Sequence, residues 1–262
     1  MSNTTPGKSI IQRHGAVALI MSLGLLVAVC HAAPTTQESQ QVTSTSIASE
    51  TLSTRQQAIV PIAAFAAKGD LAKLNDALNQ GLDAGLTVTD VREVLVQLYA
   101  YAGFPRSLNA LGELMQVLET RRQRGVEDAP GHAPSRPIPT GAALLSAGTA
   151  NQTKLAGGAV KGPLFDFAPA IDEYLKTHLF GDIFERDNLD WQSREIATVA
   201  MLAAMPGVEP QLQAHMRISM NVGLTDSQLR QLGQVLADRV DADSATHAHD
   251  ALDKQVAAKS VR

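Results

Sequence analysis

The stretch REIATVAMLAAMPGVEPQLQAH, residues 194–215, decides how this chain folds. It holds two apolar-rich runs of helical character, separated by Pro206-Gly207, a dipeptide that reverses a chain. Glu195 lies ten residues before Met205, about 15 Å along a helix at ~1.5 Å per residue. His215 lies eight residues beyond Gly207, about 12 Å back along the return helix. In an antiparallel hairpin the two side chains therefore stand at nearly the same level. Glu195 shares a helix face with Val199 and Leu202, and His215 with Leu212, Ile218 and Val222. The stretch predicts a helical hairpin with a carboxylate and an imidazole facing each other on apolar surfaces.

The same unit recurs upstream. A shift of 138 residues, without a gap, places Gly69 on Gly207, Leu74 on Leu212, and Gly85-Leu86-Thr87 on Gly223-Leu224-Thr225. Coinciding breaks and caps indicate an internal duplication of a helical-hairpin unit, hence an all-α fold. From Leu52 to Arg124 the pattern is helical. Gly69-Asp70 and Gly85 punctuate it, Thr87 is placed to cap the third helix, Gly103 suits that helix's C′ position and Pro105 the first turn of a fourth. Residues 125–163 are rich in Gly, Pro, Ala and Ser and read as a linker. Helical pattern returns over Phe165–Leu179, Trp191–Met205, Val208–Val222 and Leu224–Arg239, the last opening on the capping box Thr225-Asp-Ser-Gln228. Beyond Val240 the chain is polar and is expected to fray. The expected organisation is a signal (1–33), a flexible leader (34–50), a first repeat (51–124), a linker (125–163), a second repeat (164–240) and a polar tail (241–262).

The first 33 residues have the three parts of a secretory signal. Lys8, Arg13 and His14 precede an apolar run from Gly15 to Val29, and small residues follow around Cys30, Ala32 and Ala33. The run is shorter than the about 20 apolar residues of a membrane span. The alternatives are an uncleaved anchor or a lipoprotein acylated at Cys30, the latter opposed by bulky Val29. The mature chain is thus expected in a periplasm, with no stable membrane insertion. Cys30 is the only cysteine, so the mature chain would have no disulfide, no thiolate nucleophile and no thiolate metal site. Losing Lys8 and Arg13 takes the net charge from −4 to −6, with 26 acidic residues against 22 − 2 = 20 basic ones. No basic balance points to nucleic acid.

Three stretches, EVLVQLYAYAGFPRSLNAL (93–111), HLFGDIFERDNLDWQSRE (178–195) and LQAHMRISMNVGLT (212–225), together resemble the carboxymuconolactone decarboxylase family, which includes the alkylhydroperoxidase D-like proteins. The resemblance covers most of residues 55–239, in two copies. It implies an all-α fold of duplicated helical hairpins of the alkylhydroperoxidase D-like type, assembling as a homo-oligomer. In the peroxidase branch of that family a Cys-x-x-Cys pair precedes the histidine, and a glutamate lies about one helix upstream. Glu195 and His215 match the glutamate and histidine, whereas the cysteine positions fall on Val208 and Gln211. Disulfide-mediated peroxide reduction needs one thiolate to attack and a second thiol to resolve. Val208 and Gln211 do neither, so thiol peroxidase activity does not carry over.

The reaction that the family name implies is loss of CO₂ from a lactone acid, a lyase reaction that runs without metal or cofactor. His215 is the expected proton donor and Glu195 its orienting or proton-sharing partner, since such a pair can exchange a proton near neutral pH. Arg106 is placed to anchor a substrate carboxylate, with a solvated surface arginine as the alternative. Gly103, Phe104 and Tyr101 are the expected pocket lining. Tyr99 and Tyr101, two apart on a helix, cannot both face the pocket. The first repeat has Gln57 and Ala77 where the second has Glu195 and His215, and only the first keeps the Tyr-Ala-Gly-Phe-Pro stretch. One site per chain is expected, with acid–base residues from the second repeat and lining from the first. The alternatives are a buried hydrogen bond that only fixes the hairpin, and a non-catalytic helical binding or assembly module. His247 and His249 in the tail are a weak metal signal. His178 is expected near a helix C-terminus.

Overall fold

The structure, a computed structural model, describes residues 50–260. The expected export signal and residues 34–49 of the leader lie outside the described residues. The described chain forms α1 (Thr54–Lys68), α2 (Leu71–Asp83), α3 (Val88–Gln97), α4 (Tyr99–Gln123), α5 (Ala142–Ala156), α6 (Pro163–Phe167) and α7 (Pro169–Tyr174). A π-helical segment, Leu175–Ile183, leads on to α8 (Trp191–Ala203), α9 (Glu209–Asn221), α10 (Asp226–Arg239) and α11 (Ala242–Ser260). There is no strand among the described residues, and no helix among them is long and apolar enough to cross a membrane.

Local chemistry sets the helix ends. Ser53, Thr87 and Thr225 cap α1, α3 and α10 in capping boxes, with Gln56, Asp90 and Gln228 bonding back to the cap's backbone N–H. The duplication is visible in the helices themselves. Under the 138-residue shift, Leu71–Asp83 falls on Glu209–Asn221, so α2 and α9 coincide residue for residue, and α3 and α10 start in register. The turns at Gly69 and Gly207 have φ of 71° and 78°, and those at Gly85 and Gly223 have 90° and 97°, conformations that favour glycine.

Helix α1 packs against α8, and each packs on the next helix of its own repeat, α2 and α9. The matching helices of the two repeats therefore meet at the centre. Both are buried nearly all round, over Ala58–Ala67 and Ser193–Ala203; the α1 stretch is apolar on every face, whereas α8 also buries Arg194, Glu195 and Thr198. One hydrophobic core runs through both repeats. Gly103, with φ 81° and ψ 162°, breaks α4 after Ala102, and Pro105 follows at the start of the resumed helix.

Three expectations about organisation are corrected. The segment 125–163, a linker by composition, contains α5, which packs on the π-helical segment. One of its glycines is a packing residue: Gly148 of α5 lies so close to the π segment that a Cβ there would stand 1.7 Å from the Lys176 carbonyl oxygen. Leu155, Phe180, Phe184 and Ile218 close a second apolar cluster with Tyr99 and Tyr101 against it. The single helix expected over Phe165–Leu179 is split, because Pro169 begins α7 instead of continuing α6. The polar tail does not fray. It forms α11, packed on α8, α9 and α10, with Ala245, Ala248, Ala251 and Leu252 buried. Alanines at helical spacing make a close-packing stripe that carries little hydropathy signal.

Candidate functional site

Glu195 on α8 and His215 on α9 meet across the hairpin, with His215 Nδ1 2.9 Å from Glu195 Oε2. Glu195 is wholly buried and His215 is 7 % exposed. With the carboxylate ionised, Nδ1–H is the donor, which leaves Nε2 as the nitrogen available to a reacting molecule. Glu195 Oε1 is buried and takes no hydrogen bond among the described residues. A carboxylate oxygen without a partner inside a protein is costly, and such groups concentrate where a ligand or water completes the set.

Tyr101, from the first repeat, sets its ring edge-on to His215, with centroids 5.5 Å apart and planes at 80°. Burial and then the neighbouring Glu195 charge push its hydroxyl well above the usual phenol range, while a hydrogen bond with Thr198 works the other way. Tyr101 is therefore neutral. Tyr99 turns elsewhere and stacks on Phe104 at 4.7 Å. Phe104 is 63 % exposed and directly follows Gly103 and its break in α4. Arg106 is exposed, and its Nη1 donates to the Lys68 carbonyl at 2.6 Å, closing the end of α1. No hydrogen bond joins Arg106 to the Glu195–His215 pair among the described residues. The structure thus brings together Glu195, His215 and Tyr101, leaves Gly103 and Phe104 at the adjoining kink, and gives Arg106 a helix-capping bond.

Behind Tyr101 runs a buried polar network that the sequence reading did not single out. The Thr198 hydroxyl lies 3.2 Å from the Tyr101 hydroxyl and donates to the Arg194 carbonyl at 3.0 Å. Gln97 Nε2 donates to Thr198 Oγ1 at 2.7 Å, and Arg194 Nη1 to Gln97 Oε1 at 3.3 Å. Arg194 Nη2 then reaches Glu93 Oε2 at 3.0 Å, where Arg186 and Asn188 also converge. Every link from Glu93 to Tyr101 crosses between the repeats or runs one turn along a helix, so the tyrosine is held by a clamp anchored in both. The available signal was a pair of polar residues four apart inside apolar helices, Glu93 with Gln97 and Arg194 with Thr198, a spacing that puts both on one face.

His178, His247 and His249 have structural partners. His178 Nδ1 lies 3.3 Å from Asp182 Oδ2 within the π-helical segment. His247 Nδ1 lies 3.0 Å from the Ala203 carbonyl at the end of α8, and His249 packs over Gly233.

Among known proteins, a model of the carboxymuconolactone decarboxylase family matches the chain twice, over residues 38–115 and 169–254. The two matches together cover more than half of the chain and correspond to the two repeats. No curated protein matches the chain.

Proposed function

The chain belongs to the carboxymuconolactone decarboxylase family, and on that premise we propose that it carries out cofactor-independent acid–base chemistry of the decarboxylase type on a small acidic or lactone-like metabolite. The observation that carries this reading is the buried Glu195–His215 hydrogen bond at Nδ1, which leaves Nε2 free, with the neutral Tyr101 ring edge-on to the imidazole. In the reaction the substrate carboxylate leaves as CO₂, and its bonding pair is delocalised into the adjoining carbonyl system. A proton from His215 Nε2 then quenches the carbanion, and solvent restores that proton. Glu195 orients the imidazole and stabilises its cationic form. Thiol-based peroxide reduction is disfavoured, since Val208 and Gln211 stand at the cysteine positions.

Within this reading the mature chain is exported to a periplasm and assembles as a homo-oligomer. N-terminal sequencing of the secreted protein and light scattering check these two points. The complete burial of Glu195 favours one competing reading, a helical binding or assembly module in which the pair only pins the hairpin. Decarboxylation of γ-carboxymuconolactone, followed by absorbance, separates the two. Turnover that falls by about 10²–10⁴ in His215→Ala, with the helical circular dichroism unchanged, supports the acid–base site. Absence of turnover in the unaltered protein removes this substrate and brings the module forward.

A further inference from the structure

The duplication gives the molecule a second, altered copy of the site. The 138-residue shift maps Glu195, His215 and Tyr101 onto Gln57, Ala77 and Arg239. Gln57 donates to the Leu52 carbonyl instead of facing Ala77, but the contact across the repeats is reciprocal in space. Tyr101 of the first repeat reaches over to His215 of the second. Reciprocally, Arg239 of the second repeat reaches the first, its Nη2 donating to Gln80 Oε1 at 2.7 Å, three residues beyond Ala77. Where the second repeat fills the space with an imidazole, the first has only the methyl group of Ala77. A pocket of about 320 Å³ opens there, floored by Pro61, Phe65 and Ala77.

The lining has a specific chemistry. Arg239 bonds to an amide oxygen, and no carboxylate among the described residues pairs with it. Its planar fork is therefore open to a bidentate carboxylate partner. Lys73 adds a second positive charge, 5.6 Å over the Phe65 ring, although Asp70 lies 3.4 Å from its Nζ. Asp76 and Asp238 also line the pocket and are exposed; the carboxylate of Asp238 accepts from Gln234. They leave no general surplus of positive charge, which disfavours highly charged anions and leaves directional bonding to Arg239 as the selective contact. Phe65 and Pro61 are buried and offer only a narrow apolar strip, which suits the edge of a flat ring. The volume lies at the small end of ligand pockets, roughly 300–1,000 Å³.

We propose that this pocket is a non-catalytic binding site for a small planar monocarboxylate, with Arg239 holding the carboxylate and the narrow Phe65–Pro61 strip meeting the edge of the ring. It requires no proton transfer and stands whether or not Glu195 and His215 are catalytic. The probe is benzoate, titrated into the ¹⁵N-labelled mature chain and followed by NMR. Saturable shifts are expected at residues 61–80 and 234–239. Arg239→Gln is expected to weaken binding about tenfold or more. Ala77→Leu, which keeps the arginine but fills the pocket, is expected to abolish it, and His215→Ala to leave it unchanged. The proposal is overturned by binding indifferent to Arg239→Gln and Ala77→Leu in folded variants, or by shifts centred on Tyr101 and His215 that vanish in His215→Ala. No saturation at about 50 mM benzoate, far above millimolar affinity, overturns it as well.

Discussion

Glu93 shows how single buried residues tie the repeats together. It is 2 % exposed and accepts from Arg186 at 2.6 and 2.8 Å and from Asn188 and Arg194 at 3.0 Å each. Burial alone raises its proton affinity, but the bonds from Arg186, Asn188 and Arg194 outweigh it and bring its pKa from 4.5 down to about 2. A carboxylate depressed on folding contributes stability above its unfolded pKa, and that contribution is lost as pH falls through the folded value. The urea midpoint should therefore drop between pH 4.5 and about 2, and Glu93→Gln should make that drop shallower. An equal slope in the variant would assign the acid sensitivity to other carboxylates. At neutral pH the same variant should lose about 3–5 kcal/mol, because wholly buried Arg194 is left without its counter-charge. At this scale Glu195 and His215 were legible in the sequence, since fixed helical rise sets their levels in one hairpin. Glu93 and Arg194 were not, because their pairing spans 101 residues and depends on how two separate repeats dock.

Among the elements, the α5–π hairpin is one that composition concealed. Gly148 allows backbone-to-backbone approach, and the π-helical segment presents the Lys176 carbonyl where a side chain would otherwise stand. Gly148→Ala should therefore pry α5 from the π segment and cost about 1–3 kcal/mol, the range for forcing atoms into a filled interior. Amide exchange should read this as faster opening of residues 142–156 and 175–183, with α1 and α8 retaining their protection. Unchanged exchange across α5 would show that the contact gives way without loss. The hairpin also touches the site. Asn221 Nδ2 donates to the Leu155 carbonyl at 2.8 Å, tying the end of α9 to α5, and the apolar cluster beneath α5 backs onto Tyr101. Helices with caps and amphipathic spacing were readable from local sequence. This one was not, because Ala and Gly mark linkers and tight helix contacts alike.

For the whole molecule, the C-terminal helix is part of the core rather than an appendage. Leu252 is 1 % exposed among residues from the second repeat, so Leu252→Ala should cost about 2–5 kcal/mol in urea unfolding. A change below a few tenths would mean that the helix frays after all. The two repeats meet through α1 and α8 and exchange contacts reciprocally, Tyr101 onto His215 and Arg239 onto Gln80. From the sequence alone followed the all-α class, the duplication with its 138-residue period, the cap positions of α3 and α10, and the level at which Glu195 faces His215. These rest on short-range rules: helical rise, capping hydroxyls, and glycine at turns with positive φ. Only the tertiary structure decided that α5 and α11 are helices, that Tyr101 sets its ring edge-on to His215, that Arg106 caps α1, and that Glu93 anchors the network behind the site. Each of these depends on which surfaces meet when distant segments dock, and burial, pairing and close approach exist only once they have docked.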